Sequence, residues 1–294
     1  MDPVPGASES PLMAKANQLG SASAPRTEST GGVNDKQAAK IICRNVTKTY
    51  RGRRGELIQA LGGVNLEVWT GEFVSIVGPS GCGKSTLLYI IGGFLPSSSG
   101  TVLMDGREVR GPDRSRGIVF QEHSLFPWKT VLENVAYGPR AQGLGRRESR
   151  ERARHYLALV GLPGIENRYP RELSGGMRQR VAIARTLAAD AEVVLLDEPL
   201  GALDALSRVQ LQEELARIWQ ESKKTMVMVT HSIEEAIFLS DRIYVMSGNP
   251  GTMIADLDVG IPRPRLRQSL LQQGRYTSLE EHIWSLLKGT GLSV

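Results

Sequence analysis

The chain has 294 residues, 40% of them hydrophobic, 23% charged and 5% aromatic, with a net charge of +5, values ordinary for a soluble globular protein. No run approaches the roughly 18 apolar residues a membrane-spanning helix needs, and the polar start around Met1 lacks the charged-then-apolar order of a secretory signal. Cys43 and Cys82 are too few for a disulfide framework, and a chain this long can bury its own core without one, so a reducing compartment fits.

Residues 1–38 are rich in Ser, Gly, Pro, Ala and Thr without apolar periodicity, the composition of a disordered tail. Basic residues then bunch at Lys48, Arg51, Arg53 and Arg54 and again at Arg263, Arg265 and Arg267; such clusters meet phosphates, lipid headgroups or only water. Val64-x-Leu66-x-Val68 alternates like a half-buried strand, and Asp105-Gly106 after Thr101 to Met104 marks a hairpin turn. The later runs Phe73 to Val77, Ile118 to Phe120, Val193 to Leu196, Met226 to Val229 and Ile243 to Met246 are continuously apolar, as in strands covered on both faces. Helical spacing shows at Ala153, Tyr156, Leu157 and Val160, stopped by Gly161. Thr130-x-x-Glu133 and Ser232-x-x-Glu235 have capping-box spacing. The pattern predicts an α/β fold with a mainly parallel sheet, an antiparallel β part and a helical insert at about 122–175.

Gly78-Pro79-Ser80-Gly81-Cys82-Gly83-Lys84-Ser85-Thr86 fits G-x-x-x-x-G-K-[ST] between a strand-like run and a helical one, the context that pattern requires. Its glycines let successive N–H groups and the helix N-terminus face one anion. Lys84 would reach the β- and γ-phosphates of a bound nucleotide, and the Ser85 hydroxyl would ligate Mg²⁺. Cys82 reads as a tolerated small loop residue rather than a reactive thiol. Val193 to Leu196 leads into Asp197-Glu198: Asp197 can hold Mg²⁺ through its water shell, and Glu198 can polarise a water for attack on the γ-phosphate. Two solubilising carboxylates would look the same in isolation.

Leu173-Ser174-Gly175-Gly176-Met177-Arg178-Gln179-Arg180 precedes a helix for which Ser174 is a suitable N-cap. Coming after the phosphate loop and before Asp197-Glu198, it resembles the signature of the ATP-binding cassette (ABC) family, a P-loop NTPase fold. Other family landmarks follow in order: Tyr50, where the family stacks an aromatic on adenine; Gln121 after Ile118 to Phe120; Gly201-Ala-Leu-Asp204; and His231 after Met226 to Val229. Met177 stands where the commonest signature has Gln, which removes an amide contact but keeps the backbone N–H groups.

The resemblance implies an ATPase domain over residues 39–260 with a short extension at 261–294, working as a head-to-tail dimer, a homodimer in its simplest form. Each ATP would lie between one subunit's phosphate loop and the other's Ser174 to Met177. It further implies that Gln121 touches Mg²⁺ or the attacking water, that His231 holds the γ-phosphate, and that Asp204 belongs to a dimer-interface loop. Glu198, His231 and Gln121 are thus the catalytic candidates, and Ser85, Gln121 and Asp197 the metal candidates.

Leu125-Phe126-Pro127-Trp128 with Asn134-Val135, the Met177 signature, and Ser247 to Gly251 with Ile261 to Arg265 resemble the nitrate, sulfonate and taurine importer ATPases. The implied partners are transmembrane permease subunits and, indirectly, an external solute-binding protein, with the chain peripheral on the cytoplasmic face of the membrane and no nucleic acid. In importers the stretch at 122–138 lines the groove that receives a permease helix; its apolar residues would equally serve local packing. The rival readings are a soluble cassette ATPase acting on nucleic acid or ribosomes through the two basic clusters, and a non-catalytic ATP-gated module.

Overall fold

The structure, a computed structural model, describes Met1 and residues 39–289 apart from His123 and Ala202. The tail expected at 1–38 lies outside the described residues. Strands β1 (Ala39–Arg51) and β2 (Leu57–Trp69) form a long antiparallel ribbon. The alternation read from the sequence sets its inner face: Val64, Leu66 and Val68 are buried and pair with Val46, Cys43 and Ile41, also buried. After β3 (Phe73–Val77) and helix α1 (Lys84–Gly92), strands β4 (Ser99–Met104) and β5 (Arg107–Glu108) complete this sheet in the order β2-β1-β4-β5. Their two-residue turn has φ of 49° at Asp105 and 74° at Gly106, the left-handed pair that lets a tight hairpin follow the strand twist.

The second sheet holds β6 (Arg116–Val119), β7 (Val193–Asp197), β8 (Thr225–Thr230), β9 (Arg242–Met246) and β10 (Met253–Asp258) in the order β10-β9-β3-β8-β7-β6. All neighbours are parallel except β10, which edges β9 antiparallel. β3, β7 and β8 are buried along their whole length, and the period of two divides each strand between two cores. Val74, Ile76, Leu195, Val227 and Val229 join α1 and the antiparallel sheet in one. Phe73, Val77, Val194, Leu196, Met226 and Met228 face the helices on the other side. Strands covered on both faces are thus almost continuously apolar, with Ser75 and Thr230 hydrogen-bonded where they are buried, and each fully buried Val, Leu, Ile, Phe or Met side chain contributes about 1.5–3 kcal/mol.

The stretch 122–175 carries α2 (Val131–Val135), α3 (Tyr137–Ala141) and α4 (Arg146–Leu159), and α5 (Gly175–Ala188) follows it. Thr130 and Glu133 close a reciprocal capping box on α2. Asn134, fully buried, donates to the carbonyls of Phe126, Lys129 and Thr130 and accepts from the Phe126 amide, locking the 126–130 loop. Beyond β7, α6 (Ala205–Ser222) and α7 (Ile233–Leu239) cover the parallel sheet. The capping box expected at the start of α7 is only half made. Ser232 accepts from the Glu235 amide, but the Glu235 carboxylate is buried and accepts from the Thr230 hydroxyl 2.7 Å away; that hydroxyl in turn receives the Ser232 amide, leaving none for Glu235.

Helices α8 (Arg267–Leu270) and α9 (Gly274–Gly289) follow β10, and Tyr276, Leu279 and Ile283 of α9 enter the same core as α7. The second basic cluster is spent on this junction. Arg265 donates to the carbonyls of Ile237, Phe238 and Ser240, where α7 ends, and to Ile261, serving as the cap that α7 lacks in its own sequence. Burial lowers its pKa to about 10. Arg263 pairs with Asp241 and lies 4.1 Å over the Trp219 ring, and Arg267 pairs with Glu234.

Candidate active site

Every landmark expected at a strand end is delivered to the C-terminal edge of the parallel sheet: the phosphate loop after β3, Gln121 after β6, Asp197 and Glu198 at β7, and His231 after β8. Parallel strands bring their ends to one side of a sheet, where loops can converge without disturbing the core. The turn of the phosphate loop depends on Gly83, whose φ is 98° and whose added Cβ would stand 2.8 Å from both the Ala60 carbonyl oxygen and Leu61 Cδ2. No side chain caps α1, so its first amides are left for a ligand.

Lys84 is buried, and its ammonium donates to the Gly78 and Pro79 carbonyls at 2.8 Å each. The loop therefore holds the charge inward, on its own backbone. Cys82 is 1% exposed, and burial raises its thiol pKa against the pull of Lys84, in keeping with an inert loop residue.

At the start of α1 the Ser85 hydroxyl donates to Asp197 Oδ1 at 2.8 Å, and one turn further on the Tyr89 phenol donates to Asp197 Oδ2 at 2.6 Å. Asp197 is fully buried, so both its oxygens are satisfied by hydroxyls on one face of one helix. Burial, then the hydrogen bond to Asp197 and that carboxylate's charge, pushes the Tyr89 phenol well above its ordinary range. Tyr89 lies outside the sequence motifs, and its position four residues after Ser85, on the same helix face, is the signal that points to it.

Asp197 and Glu198 part company for a reason simple strand alternation does not supply. Glu198 has φ of 43°, a left-handed residue that ends β7 and turns its carboxylate toward His231, with Oε2 3.2 Å from Nδ1. The Glu198 side chain is 19% exposed and the His231 side chain 57%, so the pair sits at the mouth of the site. Gln121 is exposed just after β6, and among the described residues no hydrogen bond ties it to Asp197, Glu198 or His231. Tyr50 is 38% exposed, with its hydroxyl 3.3 Å from Thr86 Oγ1 and the Lys48 ammonium over its ring.

Ser174 caps α5, accepting from the Met177 amide at 3.2 Å. A Cβ on Gly175 would meet nothing within 4 Å. Asp204 is the N-cap of α6: its carboxylate accepts from the Ser207 amide at 3.0 Å, which holds its pKa below the usual range. Of the stretch after Gln121, Leu125 and Phe126 are half-buried, Leu125 against the helical core, while Trp128 is 72% exposed and stacks with Phe126.

With this geometry in place, comparison with known proteins is specific. A family model described as ABC transporter matches residues 61–201. The nitrate import ATP-binding protein of Synechocystis is 44% identical over 250 residues, 83% of this chain and 94% of that one. The taurine import ATP-binding protein of Rhizobium johnstonii is 45% identical over 245 residues, 82% of this chain and 94% of that one. A solved dimeric ATP-binding cassette in a post-hydrolysis state, bound to ADP and Pi, matches with a TM-score of 0.68 at 37% identity, over 76% of this chain and 100% of that one. The chain belongs to the ABC transporter family. Within it the chain is the ATP-binding cassette, with the P-loop NTPase fold and the ATPase activity of that class.

Proposed function

We propose that this cassette is the ATP-hydrolysing subunit of an importer, working as a dimer beneath transmembrane permease subunits to take up a small anion such as nitrate, a sulfonate or taurine. The import proteins above support that reading. The observation that carries the chemistry is the convergence of Lys84, the Ser85–Asp197 pair and the Glu198–His231 pair on one sheet edge.

The residues present fit Mg²⁺. The Ser85 hydroxyl and the Asp197 carboxylate are adjacent hard oxygen donors, and Mg²⁺ takes few protein ligands, keeping phosphate and water for the rest. That no cluster of three His, Cys, Asp or Glu side chains exists among the described residues is compatible with such a site. When bound, the ion would neutralise charge on the phosphates. Lys84 would exchange the Gly78 and Pro79 carbonyls for phosphate oxygens. Glu198 would orient the attacking water, and its contact with Nδ1 would fix the His231 ring toward the γ-phosphate. Ser174 to Met177 would close over the nucleotide of a second subunit, Tyr50 would cover the adenine, Gln121 would sense the γ-phosphate, and Asp204 would lie at the dimer interface.

The rival that acts on RNA or DNA loses one of its two basic clusters, because Arg263, Arg265 and Arg267 are engaged within the fold. Among the described residues no helix is long and apolar enough to cross a membrane, so attachment to the cytoplasmic face would be through permease partners. Affinity capture of tagged Glu198→Gln protein from detergent-solubilised cells in MgATP is the test. Co-purification of a multi-span membrane protein is the expected outcome, and recovery of only soluble or ribosomal proteins would overturn the transport reading.

A further inference from the structure

The Asp197 carboxylate is held asymmetrically. Oδ1 shares a hydrogen bond with Ser85, a candidate metal ligand, while Oδ2 is taken by the Tyr89 phenol at 2.6 Å. The phenol is not free to swing away. Its ring packs on Phe120 at 5.8 Å between centroids, Phe120 packs edge-on against Phe94 at 5.7 Å, and the Tyr89 carbonyl receives the amides of Phe94 and Leu95. Phe120 is also the residue immediately before Gln121. An aromatic column thus clamps one oxygen of a buried carboxylate and leaves the other to the neighbour of the nucleotide.

Carboxylates serve cations in two ways. Ca²⁺ readily takes both oxygens of one carboxylate in a loose, high-coordinate shell, whereas Mg²⁺ demands a small octahedron and takes single oxygens, often through water. We propose that Tyr89 is a positioning residue that sets the metal preference of this site: by occupying Asp197 Oδ2 it restricts the carboxylate to one available oxygen, which favours Mg²⁺ over Ca²⁺. The inference rests on the ATPase reading and deepens it. Ser85 and Asp197 remain the groups facing the ion; Tyr89 acts only through Asp197. A hydroxyl on the ring is the single atom the proposal needs, so Tyr89→Phe removes it while keeping the packing on Phe120.

The experiment is equilibrium binding of a fluorescent ATP analogue to the full chain without metal, with Mg²⁺ and with Ca²⁺, in wild type, Tyr89→Phe and Phe120→Leu. Tyr89→Phe is expected to bind metal-free nucleotide like wild type, to keep its Mg²⁺ requirement within about twofold, and to reach half-saturation at about five- to tenfold less Ca²⁺, because Oδ2 becomes a second oxygen for the larger ion. Phe120→Leu, which loosens the ring but keeps the hydroxyl, should lower the Ca²⁺ requirement the same way by about twofold. An unchanged ratio of Mg²⁺ to Ca²⁺ requirement in Tyr89→Phe, with thermal unfolding like wild type, overturns the proposal. Absence of nucleotide binding by the wild type itself would instead overturn the ATPase reading beneath it.

Discussion

At the phosphate loop, Gly83 opens α1 with no room for a side chain against Ala60, Lys84 donates inward to the loop's own carbonyls, and Ser85 is tied to a buried carboxylate. At the signature, Ser174 opens α5 with an ordinary side-chain cap, and a Cβ on Gly175 would meet nothing within 4 Å. Both segments are glycine-bearing turns into helices, and they differ in what surrounds them. At the first, Gly83 is crowded by the backbone of Ala60; at the second, a Cβ on Gly176 would come within 3.3 Å of Leu203, but Gly175 has open space beside it. An open Gly175 is compatible with the close approach of the nucleotide of the proposed partner subunit.

The contrast can be broken at several points. The largest expected effect is at Glu198: replacement by Gln should lower ATP turnover about a hundredfold or more while leaving nucleotide-dependent dimers, because only the water-orienting charge is removed. Steady-state phosphate release alongside size-exclusion chromatography in ATP would check both halves, and wild-type turnover in the variant would dismiss the role. Gly83→Ala forces a left-handed φ and a 2.8 Å approach to backbone; a loss of about 2–3 kcal/mol of folding stability should appear in urea unfolding. Gly175→Ala should do the reverse, changing stability by less than about 0.5 kcal/mol yet lowering turnover about tenfold through the lost close approach to phosphate. If Gly83→Ala folds as well as wild type, or Gly175→Ala turns over as fast, the distinction between the two turns fails. The smallest effect is an absence: Cys82, buried in the loop, and Cys43, whose thiol burial pushes to about 12, should resist iodoacetamide at pH 8 in native protein and react on unfolding, as mass spectrometry would report.

A second pair of regions carries the same lesson in charge. Arg51, Arg53 and Arg54 are exposed on the β1–β2 hairpin, whereas Arg263, Arg265 and Arg267 are consumed by Asp241, the carbonyls at the end of α7, and Glu234. In the sequence the two clusters look alike. Their difference depends on which carbonyls and carboxylates the fold brings near, residues more than twenty positions away in the chain.

Features of short range were legible in the order of the amino acids. Alternation at Val64, Leu66 and Val68 specified an inner face, Asp105-Gly106 a tight turn, Thr130-x-x-Glu133 a reciprocal cap, and the phosphate loop, Asp197-Glu198 and His231 a set of strand ends. These are written in periods of two to four residues, within reach of local sterics and hydrogen bonding. Tertiary structure decided the rest: that Glu235 turns to Thr230 rather than to its cap, that Tyr89 shares Asp197 with Ser85, and that Glu198 leaves its strand through a left-handed turn to meet His231. Each of those needs partners from more than one element; for the buried Glu235 and Asp197 the cost of an unpaired polar group selects the partner only once the core has closed around it, whereas the more open Glu198–His231 contact follows from the turn that ends β7.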